Sequence, residues 1–136
     1  MRRKLISIAL VALLCSFQVS FASAANISES SNGKTISVKL GKSFKVLLHS
    51  TAWTLNPLTD KNLVQVGDPA ITATPPGPSA PAGCQVPGMS CGTIQWTFKG
   101  TKAGISSLLF NRSSCGEAKR CTVKESIYKV NIRVTK

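Results

Sequence analysis

Cys84, Cys91, Cys115, Cys121 and the single His49 are the residues of this chain with the most chemistry to offer. Four thiols can oxidise in pairs, hold a metal ion or supply a nucleophile. Metal knuckles usually place two to four residues between paired cysteines, and here six separate Cys84 from Cys91 and five separate Cys115 from Cys121. A catalytic thiol needs an activating base, and His49, whose ordinary place is a strand end, is the only imidazole. With 5 Asp+Glu in the chain, paired carboxylates for acid–base work are equally scarce. We therefore expect no enzyme, no catalytic residue, no metal and no cofactor, and read the four cysteines as two disulfides. Loop closure favours a local bridge by about 2.5 kcal/mol and one across some thirty residues by about 3.5 kcal/mol, a gap too small to decide the pairing. Local pairing is preferred because Cys115 and Cys121 bracket a compact connection between neighbouring strands; a staple joining the two segments is the rival.

The fifth cysteine, Cys15, belongs to a different element. Met1-Arg2-Arg3-Lys4 is basic, an apolar run follows from Leu5, and Ala22-Ser23-Ala24 supplies the small residues of a cleavage site. That is the pattern of a secretory signal peptide over residues 1–24. Ser16, Gln18 and Ser20 interrupt the run before the roughly 20 apolar residues a membrane span needs, so no transmembrane anchor is expected after cleavage. Acylation at Cys15 would call for a small preceding residue, and Leu14 stands there. Removing 24 of the 136 residues leaves 112, with 14 Lys+Arg against 5 Asp+Glu and a net charge of +9. The expected location is secreted or periplasmic, where paired cysteines oxidise.

The elements that must position these cysteines read as strands. After an N-terminal extension, residues 25–33, alternation sets in: Ile36, Val38 and Leu40 inward, then Phe44, Val46 and Leu48 beyond a turn at Gly41. Short strands are expected over residues 62–66 and 70–74. Residues 75–92 collect prolines, glycines and two cysteines, a composition that holds neither a ladder nor a helix and predicts a long surface loop. Ile94, Trp96 and Phe98 open a hairpin whose second arm is residues 105–110, and Tyr128, Val130, Ile132 and Val134 form the inward face of the last strand. No amphipathic helix is expected. About six or seven short strands in a chain of this size predict an all-β, immunoglobulin-like β-sandwich spanning residues 34–136. The cysteines fall in its loops rather than between facing strands.

Several of these segments resemble the chagasin-type inhibitors of papain-like cysteine proteases, small exported immunoglobulin-like domains. The likeness runs through the first strand with Gly41, the segment Val46-Leu47-Leu48-His49-Ser50-Thr51-Ala52-Trp53, the hairpin from Trp96 to Gly104 and the closing strand from Tyr128 to Val134. It implies inhibition by three loops at one end of the sandwich that enter the protease cleft. Those loops would be residues 50–53, 75–92 and 112–120, with Ser50, Thr51, Ala52, Trp53, Arg112, Ser113 and Ser114 as protease-contact candidates. The family's first loop reads Asn-Pro-Thr-Thr-Gly-Tyr before a Trp, of which only Trp53 remains. Its third reads Arg-Pro-Trp, and here Ser113 and Ser114 follow Arg112.

Trp96, in phase with Ile94 and Phe98, reads as core, whereas Trp53 fits either a packing residue at the loop base or an exposed contact. The positive charge is scattered singly along outward positions, without the basic stripe or aromatic platform of a nucleic-acid binder. A cluster of Arg112, Lys119, Arg120 and Lys124 near the second cysteine pair is the exception. It supports the alternative to protease inhibition: a structural or adhesive module that binds an anionic cell-envelope component.

Overall fold

The computed structural model describes residues 26–115 and 120–136, so the expected signal peptide and Lys119 lie outside the described residues. Nine strands are present among the described residues: β1 (Asn26–Ile27), β2 (Thr35–Lys39), β3 (Ser43–His49), β4 (Thr54–Leu55), β5 (Leu63–Gln65), β6 (Ala70–Ala73), β7 (Gly92–Gly100), β8 (Gly104–Asn111) and β9 (Ile127–Thr135). The long expected strands are all found. The two additional ones, β1 and β4, are two residues each.

One sheet has the order β1-β3-β7, with β5 and β6 sharing the far edge of β7; the other has the order β2-β9-β8-β4. The alternation explains how they pack. In the β3–β7 register Phe44 faces Phe98, Val46 faces Trp96 and Leu48 faces Ile94, so all six side chains enter the same space. Leu108 faces Val130 and Phe110 faces Tyr128 on the opposing sheet. These residues are buried and form one core. Phe44 and Phe98 stack at 5.6 Å, and Trp96 and Phe110 meet across the layers at 4.7 Å between ring centroids. Ser106, the one buried polar residue among the described residues, donates its hydroxyl to Asp60 at 2.6 Å, which satisfies it.

Three expectations need correction. Residues 26–31 are integral to the sandwich: β1 pairs in parallel with β3, and Ile27 is buried in the core. The alternation of the first strand stops at Val38, because Leu40 lies in the turn that Gly41 makes at φ +77° and is 44% exposed. A helical turn, α1 (Val123–Ser126), precedes β9; none of its residues is buried, and it is held by a capping box between Thr122 and Glu125. Besides β1, a second parallel pairing joins β2 to β9, from Thr35 opposite Asn131 to Lys39 opposite Thr135.

Tyr128 ties the N-terminal residues down. Its hydroxyl donates to the Ser28 carbonyl at 2.8 Å from a ring that is 2% exposed. Burial, with the charge of Glu29 adding to it, pushes its pKa from 10.0 up to about 12. It is the only tyrosine, so tyrosinate absorbance reports it alone. The folded protein should ionise near pH 12 and the unfolded chain near pH 10. Because folding disfavours the phenolate, this contribution to stability is intact below the unfolded pKa and is lost as pH rises through the folded one. A folded-state midpoint at the unfolded value would contradict the burial.

Candidate functional site

The first loop begins where β3 ends. Ser50 turns the chain at φ +90°, and its hydroxyl accepts the Ala52 N–H at 3.2 Å. Two further backbone donors of this loop reach the second: Ser50 N–H to the Gly92 carbonyl and Thr51 N–H to the Ser90 carbonyl, both at 2.8 Å. Trp53 folds under the turn it closes. Its indole N–H donates to the His49 carbonyl at 2.9 Å, its ring meets the edge of Tyr128 at 6.4 Å, and it is 7% exposed. Of the two places open to Trp53, it takes the packing role at the loop base.

The second loop occupies the long Pro- and Gly-rich connection, as its composition predicts. The Cys84–Cys91 disulfide closes a ring within it. The ring is anchored at both feet: Cys84 N–H donates to the Pro81 carbonyl at 2.8 Å and Thr74 N–H to the Cys91 carbonyl at 3.0 Å. Gly92, expected as the last loop residue, is the first of β7 and pairs with Ala73.

In the third loop, Arg112 is committed inward. Its guanidinium lies over the Trp53 ring at 4.6 Å, a cation–π contact, while Nε donates to the Glu125 carbonyl at 2.8 Å and the backbone N–H to the Ser126 carbonyl at 3.0 Å. Ser113 is exposed, and Ser114 forms an isolated bridge with Arg120. Cys115 pairs with Cys121. Both disulfides are thus local, as the compact connection favoured, and the cross-loop staple is not formed. All four cysteines are oxidised, which leaves no free thiol among the described residues.

The three loops meet at one end of the sandwich. A cleft of about 360 Å³ opens between them, lined by His49 at the end of β3, Ser50 from the first loop, Met89 and Cys91 from the second, and Arg112 and Cys115 from the third. Trp53 and Arg112 act together beneath the loops, a join invisible in a sequence that separates them widely. Reasoning from sequence also missed Glu29, whose carboxylate accepts the His49 backbone N–H and lies 3.1 Å from His49 Nδ1. It missed the Thr122–Glu125 cap as well, although the Thr-x-x-Glu spacing was there to be read. Of the cluster weighed for an anionic ligand, Arg112 spends its charge on Trp53 and Glu125, while Arg120 and Lys124 remain exposed.

A scan of protein-family models finds no match, and neither does a search of curated proteins. Solved structures do match. The solution structure of amebosin superimposes with a TM-score of 0.56 at 15% identity, over 83% of this chain and 99% of that one. The crystal structure of the cysteine protease inhibitor EhICP2 from Entamoeba histolytica does so with a TM-score of 0.53 at 11% identity, over 80% of this chain and 92% of that one. The fold is that of the chagasin-type inhibitors. At these identities the chagasin-type likeness is one of fold, and the side chains that cap the loops are this chain's own.

Proposed function

We propose that the protein is an exported, reversible inhibitor of papain-like cysteine proteases that works by inserting its three loops into the active-site cleft. The observation that carries this reading is the convergence of those loops, braced by two local disulfides, at one end of a chagasin-type sandwich. A wedge binds well when its loops are ordered beforehand, because little conformational entropy remains to be lost. Here two backbone N–H groups of the first loop, those of Ser50 and Thr51, are bonded to the second, and the third is tied to α1 through Arg112. Ordered loops closed by disulfides also resist threading through a protease as substrate. Two disulfides suit an oxidising compartment, in agreement with the signal-peptide pattern of residues 1–24.

The test is inhibition of several papain-like proteases by the oxidised protein comprising residues 25–136. The expected result is competitive, reversible inhibition with the inhibitor recovered intact by mass spectrometry. Absence of inhibition at micromolar concentration across the panel, or turnover of the chain as a substrate, overturns the reading.

A further inference from the structure

The far edge of the first sheet is guarded unevenly. β5 and β6 share one side of β7, and the chain bulges between them at Gly67, Asp68 and Pro69, since Gln65 faces Phe98 but Ala70 faces Gln95. A bulge, a proline and a charge are devices that keep a sheet edge from pairing with another chain. Within β6 there is none of them. Its four residues are all exposed, and no residue between Asp68 and Lys99 is charged, in a chain with 17 Lys+Arg. The edge strand of the second sheet, β2, instead follows Lys34 and ends on Lys39.

The backbone of β6 offers its unpaired groups in a set order. Thr74 N–H donates to the Cys91 carbonyl at 3.0 Å, and the Thr72 carbonyl oxygen lies against Gly92. Antiparallel ladders alternate bonded and non-bonded pairs, so Ala70 and Thr72 turn their polar groups to β7 while Ile71 and Ala73 turn theirs away from it. The residues two places beyond these, Pro69 and Pro75, carry no N–H. Ile71 also stands where a core residue belongs. It faces Ile94, so the two side chains share the core side of the sheet, yet Ile94 is 4% exposed and Ile71 is 59% exposed. On this flank the second sheet ends at the two-residue β4 and leaves Ile71 uncovered.

We propose that β6 is a self-association edge: it pairs antiparallel with β6 of a second copy of this chain, and the two first sheets continue as one. Setting Ile71 opposite Ala73 of the second copy uses both outward N–H groups and both outward carbonyls of each chain, with Thr72 on the two-fold axis facing its counterpart. Two features select a second copy over a foreign strand. The outward donors and acceptors are equal in number and bounded by proline at each end, a pattern that is its own complement. A basic chain also approaches its own copy with least repulsion where it carries no charge, and an acidic foreign strand finds no counter-charge there. Because β6 runs toward the second loop and the paired strand runs the opposite way, the two loop ends face apart and both stay open.

The experiment is sedimentation velocity on the oxidised protein comprising residues 25–136, from about 10 µM to about 1 mM, with amide exchange by NMR at both ends of that range. Wild type should pass from monomer to dimer across it, as suits an edge much smaller than a standard interface, and the Ile71 and Ala73 amides should exchange about fivefold more slowly at the top. Ile71→Lys sets like charges near the axis and should raise the dissociation constant about tenfold or more. Ile71→Val, and Val64→Lys on the β5 half of the same edge, should stay within about threefold of wild type. Melting curves show whether each variant is folded, and exchange on wild type decides alone should Ile71→Lys fail to fold. A wild type that stays monomeric to about 1 mM overturns the proposal. So does a dimer that folded Ile71→Lys leaves intact, that Val64→Lys weakens equally, or that leaves Ile71 exchange unchanged. None of these outcomes bears on the proposed inhibitory function.

Discussion

Replacing Gly92 with alanine is expected to destabilise the domain by about 3 kcal/mol or more, lowering the thermal midpoint by about 12 °C or more. Gly92 opens β7 with φ +128°, where side chains are strained, and an added Cβ would collide with the Thr72 carbonyl oxygen and lie 2.8 Å from the Ala73 Cα. Both are backbone atoms of β6, which cannot swing aside as a flexible side chain can. The Gly92 carbonyl also accepts the Ser50 N–H, so the same change pulls at the first loop. Gly88 offers the comparison: its φ of +88° carries strain, yet nothing lies within 4 Å of a Cβ there. Gly88→Ala should cost about 1 kcal/mol. Urea unfolding of the two variants separates strain from collision, and equal losses would refute the account of Gly92.

The second large effect falls on Trp53. Trp53→Ala removes a buried indole that meets Tyr128, carries the Arg112 guanidinium and caps the His49 carbonyl, and a loss of about 3–5 kcal/mol is expected. Trp53→Phe keeps most of the packing and loses the donor, so it should cost distinctly less, about 1–2 kcal/mol. Under the proposed inhibitory function, loss of inhibition should follow the same order, because the ring lies under the first loop and holds the third through Arg112. Denaturation midpoints together with inhibition constants check this. A Trp53→Ala variant that is as stable as wild type but inactive would instead make Trp53 a direct contact.

The residues that were easy to read in sequence are those whose neighbours repeat a pattern. Tyr128, Val130, Ile132 and Val134 alternate with polar residues in β9, and Phe44, Val46 and Leu48 keep the same period of two in the seven-residue β3 despite Leu47, so their inward faces are evident. Asn26–Ile27 and Thr54–Leu55 are too short to show any period, and their strand state comes from partners elsewhere in the chain. Leu40 had the right phase but fell beyond the end of its strand. Local pairing is favoured because Cys115 and Cys121 bracket a compact connection between neighbouring strands. The convergence of the loops was expected only through a family likeness, since no local rule reports which sheet a strand joins. Arg112 reads as a contact candidate and a member of a basic cluster, because a cation–π partner distant in sequence leaves no trace in spacing.

The parallel docking of β2 on β9 has a further consequence, for the order of events in folding. Among the described residues, Thr35 to Lys39 find their ladder partner in Asn131 to Thr135 alone, so a strand made early waits for one made much later. β8 waits too, since its whole length is zipped to β9. Contacts this distant in sequence slow the search for the native state. The second sheet therefore cannot close until Ile127–Thr135 are in place, whatever the first sheet has already formed through its β3–β7 pairing.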